Sequence, residues 1–206
     1  MAGHREQKKQ RTFREVVAVA ARLFRDAGYD GTTIEAIAAE SGVSPGTVYN
    51  YFGTKSAILM AVVTADTEHA LAEASRSVDF SADGPVDALM PVVVTYLQVT
   101  TALGRNALRE LFALGFDSPQ SPMLSELVTL DERILEQLAQ IIGGLRDRGL
   151  VKDDVDPIAA AILVYSVVAV AIMMYVAYPD QTVEDIAGAV RGQLSLAFDG
   201  MAVQSG

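Results

Sequence analysis

The chain has no cysteine and only two histidines, His4 and His69, among its 206 residues. Disulfides, thiol nucleophiles and cysteine-ligated metals are therefore excluded. It also lacks a glycine-rich phosphate loop, a nucleophile motif and a cluster of metal-ligating side chains, so an enzyme is the least supported class. No run of alternating apolar and polar residues reads as a strand, and there is no internal repeat or low-complexity tract. The N-terminus is polar and charged, without the apolar stretch of a secretory signal, and the expected compartment is the cytoplasm. No cofactor or metal is expected. Asp66, His69 and Glu73 share a helix face at spacings of three and four, but an exposed charged stripe explains them equally well.

What the chain does have is apolar periodicity. Half its residues are hydrophobic, enough for a sizeable core. Breaks at Ala27-Gly28, Ser41-Gly42, Gly53, Asp83-Gly84-Pro85, Gly104, Ser118 to Pro122, Gly149, Asp156-Pro157 and Pro179 divide it into nine predicted helices. These lie near 8–27, 34–40, 45–51, 55–80, 85–103, 105–115, 121–148, 157–178 and 182–202. The fold class is all-α, with an N-terminal domain over 1–54 and a helical C-terminal domain over 55–206. The fourth helix is expected to connect them rigidly.

The net charge of −10 is unevenly spread. Residues 1–56 carry 8 basic and 6 acidic side chains, whereas the remainder carries 8 and 20. Within the first fourteen residues Arg5, Lys8, Lys9, Arg11 and Arg14 stand against Glu6 alone, a basic arm of the kind that meets phosphates. The arm leads into two short helices. In TTIEAIAAESGVS, Thr32 and Glu35 have capping-box spacing, Ile34, Ile37 and Ala38 form an apolar face, and Gly42 stands where a helix end needs positive φ. Then Ser44 is suited to cap a third helix, with Pro45 at its first position and slim Gly46 and Thr47 in its first turn. Two short helices joined by a glycine turn make a helix-turn-helix. Leu23, Phe24, Ile34, Ile37, Val43, Val48 and Phe52 are its expected core. Pro45, Gly46, Thr47, Tyr49 and Asn50 are left to face DNA. Asn50 suits adenine, Thr47 offers a hydroxyl and a methyl, and Gly46 permits close approach. Thr33, at the start of the second helix, is a candidate phosphate contact through its hydroxyl and the helix N-terminus, with simple capping as the alternative.

From Arg11 to Leu59, the basic lead, LFRDAGYDGTT, ESGVS and GTVYNYFGTKSAIL occur in order, and this segment resembles the DNA-binding domain of the tetracycline-repressor (TetR) family. The resemblance implies that Tyr49, Tyr51 and Lys55 hold the phosphate backbone. Tyr51 stands where the family frequently has histidine, so it keeps a hydroxyl and loses a possible charge. The resemblance also implies a repressor and a divergent ligand-binding C-terminal domain.

In that second part, Tyr96, Thr100, Arg105, Arg109, Tyr165 and Met173 are the candidate handles for a small, largely apolar effector. The last two helices are the candidate dimer surface: Ile162 and Val170 on the eighth, and Ile186, Gly188, Val190, Gly192 and Leu194 on the ninth. A homodimer would place two heads in successive major grooves and read a pseudo-palindromic operator in double-stranded DNA. Two rival readings compete. One is an integral membrane protein, because 158–178 are 21 residues without a charge. Its acidic flanks, Asp153, Asp154, Asp156 and Asp180, speak for burial by protein rather than lipid. The other is a helical small-molecule binder without specific DNA function.

Overall fold

The protein is described by a computed structural model that covers the backbone of residues 2–117 and 122–199 and the side chains of 6–115 and 123–198. The arm residue Arg5 and the predicted helix ends at 121 and 202 lie outside those limits. The described residues form nine α-helices: α1 (Ala2–Gly31), α2 (Ile34–Glu40), α3 (Pro45–Phe52), α4 (Lys55–Ser77), α5 (Pro85–Thr101), α6 (Arg105–Asp117), α7 (Pro122–Arg146), α8 (Pro157–Ala177) and α9 (Val183–Asp199). Helix α1 begins earlier than the breakers suggested. Its regular part ends where predicted, because Gly28 adopts φ 76° and ψ 161° and interrupts it.

Local chemistry accounts for the helix ends. At the end of α2, the Gly42 amide donates to Ala39 O and the Val43 amide to Ala38 O, a Schellman closure made possible by φ 65° at Gly42. The Ser44 hydroxyl accepts from the Thr47 amide at 3.2 Å and starts α3. The cap of α2 is Thr33, whose hydroxyl accepts from the Ala36 amide at 3.1 Å. The expected capping box between Thr32 and Glu35 does not form. The Thr32 hydroxyl turns back instead and points its proton between Gly28 O (2.8 Å) and Leu23 O (3.1 Å), both on α1.

Two compact units result, and their boundary departs from the 54/55 division read from the sequence. The first runs to Asp66, inside α4, and also takes in α6 and the first turn of α7; the second comprises the rest of α4 and of α7 with α5, α8 and α9. The reason is that α6 packs on α1, as does α2, while α2 packs on α3. Val16, Ala20, Phe24, Ile37, Ala38, Val48 and Ile58 are buried in this unit. Of the expected core, Leu23, Val43 and Phe52 are only half-buried.

In the second unit α9 packs against both α8 and α5. Ile186, Val190 and Leu194 are each no more than 1% exposed, so they fill their own chain's core. That corrects their placement on a dimer surface, since side chains already enclosed by their own chain have nothing left to present to a partner. Helix α8 is apolar all round but buries only Ala160, Ala161, Val164, Ala171, Tyr175 and Val176. Ile158, Ile162, Val170, Met173 and Met174 remain exposed on its outer side.

Candidate nucleic-acid interface

Helix α3 has one fully buried side chain, Val48, with Thr47, Tyr51 and Phe52 half-buried and the opposite face open. Pro45, Gly46, Tyr49 and Asn50 are exposed, and Tyr49 presents 47% of its surface. Such exposure of a tyrosine on a short helix has no packing explanation within the chain. Thr47 is half-buried, with its hydroxyl 2.9 Å from that of Ser44. Ser44 thus acts first as a cap, as does Thr33. A Cβ added at Gly46 would meet only the Ser44 hydroxyl, at 3.9 Å. No intramolecular crowding requires glycine there.

Tyr51 is half-buried, and the adjacent Phe52 stacks on Phe13 of α1 with ring centroids 4.9 Å apart. Lys55 is placed differently from a free phosphate ligand. Its ammonium donates to Tyr29 O (2.9 Å) and Thr32 O (3.1 Å) and lies 4.2 Å from the centre of the Tyr29 ring. Two of its three N–H donors are committed to closing the end of α1. Lys55→Ala is expected to destabilise the protein by about 1–3 kcal/mol in urea unfolding, through loss of charged hydrogen bonds. If Lys55 also holds a phosphate, the salt slope of DNA binding falls by about one as well.

Around this lysine lies a polar cluster that sequence reading missed. The Ser56 hydroxyl donates to Glu110 Oε1 at 2.7 Å, and the Tyr29 hydroxyl lies 3.2 Å from Ser56 Oγ and 3.4 Å from the same carboxylate. Burial, followed by the nearby Glu110 carboxylate, raises the Tyr29 phenol above its ordinary range, although its bond to Ser56 opposes this. Asn106 donates to Asp30. The polar side of α6 is therefore turned to α1 and α4, and no local sequence signal pairs residues 54 or 81 positions apart.

The six candidate ligand handles do not form one set. Arg105, Arg109 and α6 belong to the first unit, and exposed Arg109 donates to Asn106 Oδ1 at 2.9 Å. Met173 is 53% exposed on the outer side of α8, which corrects its expected place in an interior pocket. Thr100 is half-buried. In the second unit Tyr96 is buried and Tyr165 half-buried. The Tyr96 hydroxyl donates to Gln137, whose amide donates to Leu71 O and Ser75 Oγ. Tyr165 pairs with Asp131; burial first, then this carboxylate, pushes the phenol up.

Burial likewise raises the Asp131 carboxyl despite the Tyr165 bond. An acid whose folded pKa is raised stabilises the fold most below its unfolded pKa, about 4, and loses that contribution as pH climbs through the raised value. Asp131→Asn is therefore expected to melt higher than the parent at pH 7, with the gap closing toward pH 4 in a series of thermal scans.

Asp66 and Glu73 are ion-paired, to Arg25 at 2.5 Å and Arg76 at 2.8 Å. Among the described residues no group of three acidic or histidine side chains is placed to hold a metal.

A head of this geometry defines a helix-turn-helix DNA-binding protein. The pattern for "Bacterial regulatory proteins, tetR family" matches residues 16–62. UidR, a helix-turn-helix transcriptional regulator of Escherichia coli K12, is 27% identical over 160 residues, covering 76% of this chain and 77% of its own. HbdR of Aromatoleum sp. is 32% identical over 107 residues, 52% of this chain and 44% of its own. Among solved structures, a TetR-family transcriptional regulator from Mesorhizobium loti superposes with a TM-score of 0.72 at 21% identity, over 94% of this chain and 98% of that one. FadR of Thermus thermophilus, a TetR-family repressor bound to lauroyl-CoA, does so with 0.67 at 23%, over 94% and 97%. Residues 16–62 thus carry a TetR-family DNA-binding domain, and the match to UidR over 160 residues supports a DNA-binding transcriptional regulator.

Proposed function

We propose that this regulator is a cytoplasmic homodimeric repressor, without enzymatic activity, that leaves a pseudo-palindromic operator when a small, largely apolar effector binds the second unit. The observation that carries the DNA reading is the exposed face of α3, with Tyr49 and Asn50 presented to solvent and Gly46 slim for no internal reason. Thr33, Ser44, Pro45, Thr47, Tyr51 and Lys55 flank that face, the capping residues offering main-chain amides and hydroxyls to phosphates.

Dimerisation rests on the outer side of α8, continued on α9 by exposed Gly188 and Gly192. Helix α8 is the one unbent helix among the described residues long and apolar enough to cross a membrane. A partner's α8 and α9 would cover the same face, and a four-helix contact of that kind fits both its length and its acidic flanks. The lauroyl-CoA held by the Thermus thermophilus relative favours an acyl or similarly apolar effector here. Tyr96 and Tyr165 are the inward polar groups offered to it. The effector would bind preferentially to a state whose heads are misplaced for the operator, lowering DNA affinity by that differential binding energy.

The test is fluorescence anisotropy with DNA from upstream of the protein's own gene and with a scrambled duplex, using the parent, Tyr49→Ala and Gly46→Ala. Gly46→Ala should fold at least as well as the parent, since alanine favours helix and meets no clash, yet bind the upstream duplex more weakly. Equal affinity of the parent for both duplexes, and for fragments selected genome-wide, would refute a sequence-reading function.

A further inference from the structure

The cations of α1 are not used alike. Arg22 is ion-paired to Glu40 and Arg25 to Asp66, whereas Lys8, Lys9, Arg11 and Arg14 form no ion pair with another described residue. All four are exposed, and they lie within two successive turns in the N-terminal half of α1. Buried Val16, Val17 and Ala20 anchor α1 in the unit, and one further contact fixes it close to the cations themselves. Phe13 remains 40% exposed yet stacks on Phe52, the last residue of α3, with centroids 4.9 Å apart and planes inclined by 23°. Lys9, Gln10 and Arg14 thereby line one groove together with Glu6, Phe13 and Tyr51.

We infer that the stretch 8–14 of α1 forms a second phosphate-binding ridge, with Lys9 and Arg14 as its cationic contacts beside Tyr51 and Phe13 as the positioning residue that sets its register to α3. The inference rests on the DNA-binding reading above and extends it to residues outside the helix-turn-helix. Tyr51 supplies a hydroxyl but no charge, and Lys9 and Arg14 supply the charge at the same place. A stacked pair suits this purpose because it fixes position and angle at once, as a single aliphatic contact does not. Backbone contacts of this kind set register and orientation and add affinity independent of sequence.

Binding is measured by anisotropy across a salt series on two duplexes, one enriched by the parent protein from a random library and one scrambled. Lys9→Ala, Arg14→Ala is expected to lower the salt slope by about two on both duplexes, leaving their affinity ratio unchanged. Phe13→Ala removes no charge, and it is expected to lower the same slope by one or more, with Phe13→Tyr restoring it. Thermal melting of each variant accompanies the series, and Phe13→Leu replaces Phe13→Ala should the latter fail to fold. A slope unchanged in the double variant overturns the ridge; a fall of less than one in the Phe13 variant overturns its positioning role. Should the parent not distinguish the duplexes, sequence-specific regulation fails instead, and the slopes on scrambled DNA still decide the ridge.

Discussion

An Ile162→Asp, Val170→Asp variant is expected to be a folded monomer whose operator affinity is at least about 100-fold below the parent's, the scale on which linking two binding modules acts. These side chains are 49% and 48% exposed, and they lie eight residues apart on a face that also carries Ile158, Met173 and Met174. Helical spacing of four brings 158, 162, 166, 170 and 174 onto one side. Position 166 is a serine, but its hydroxyl donates to Ile162 O at 2.7 Å, so it can be covered without stranding a donor. In the homodimer proposed above, a contiguous apolar stripe of this kind is the expected interface. Two carboxylates inside it would have to be desolvated without partners, which association cannot offset. Helix α8 itself should survive, because neither side chain contributes to the core. Sedimentation velocity and anisotropy on one preparation check both halves. A variant that sediments as a dimer would show that the subunits meet elsewhere.

The second large effect is in the head. Phe24→Ala is expected to cost about 3–5 kcal/mol in denaturant unfolding followed by circular dichroism. That is a substantial part of the ~5–15 kcal/mol by which a domain is stable, so specific DNA binding should disappear with it. Phe24 is 1% exposed, and its ring lies 5.3 Å from that of Tyr29. Tyr29 in turn carries the Lys55 ammonium on its face and the Ser56 and Glu110 contacts on its hydroxyl. The cavity left by Phe24 therefore opens beside the residue on which α1, α4 and α6 converge. A loss near 1 kcal/mol would mean that Tyr29 swings in to fill the space, and the Ser56 and Glu110 bonds would then be absent from the variant's structure.

Much of the architecture was readable one residue at a time. Glycine at 42 and 53, serine at 44 and proline at 45 each act on the backbone within a turn of their own position, and the helices begin and end near them. Apolar spacing likewise identified Phe24, Ile37 and Val48 as core. The Thr32 reading missed by one residue for an instructive reason. Either threonine could cap, and Thr33 does so while the Thr32 hydroxyl is engaged by Gly28 O and Leu23 O, four and nine residues back on α1.

The same distinction separates the rest. The sequence alone determined that this is an all-helical chain with a helix-turn-helix near its start, since capping, glycine conformation and 3.6-residue periodicity are local properties. Whether a given apolar or charged side chain faces the core, a partner or DNA was decided only by tertiary packing. Ile162 and Ile186 are the same residue on neighbouring helices, yet one is half exposed and the other enclosed by α9's packing on α5 and α8. Arg14 and Arg25 share a helix, yet among the described residues only Arg25 of the two meets a carboxylate. Burial and charge pairing depend on which distant segments arrive alongside, and that information belongs to the assembled helices rather than to the neighbours of a residue in the chain.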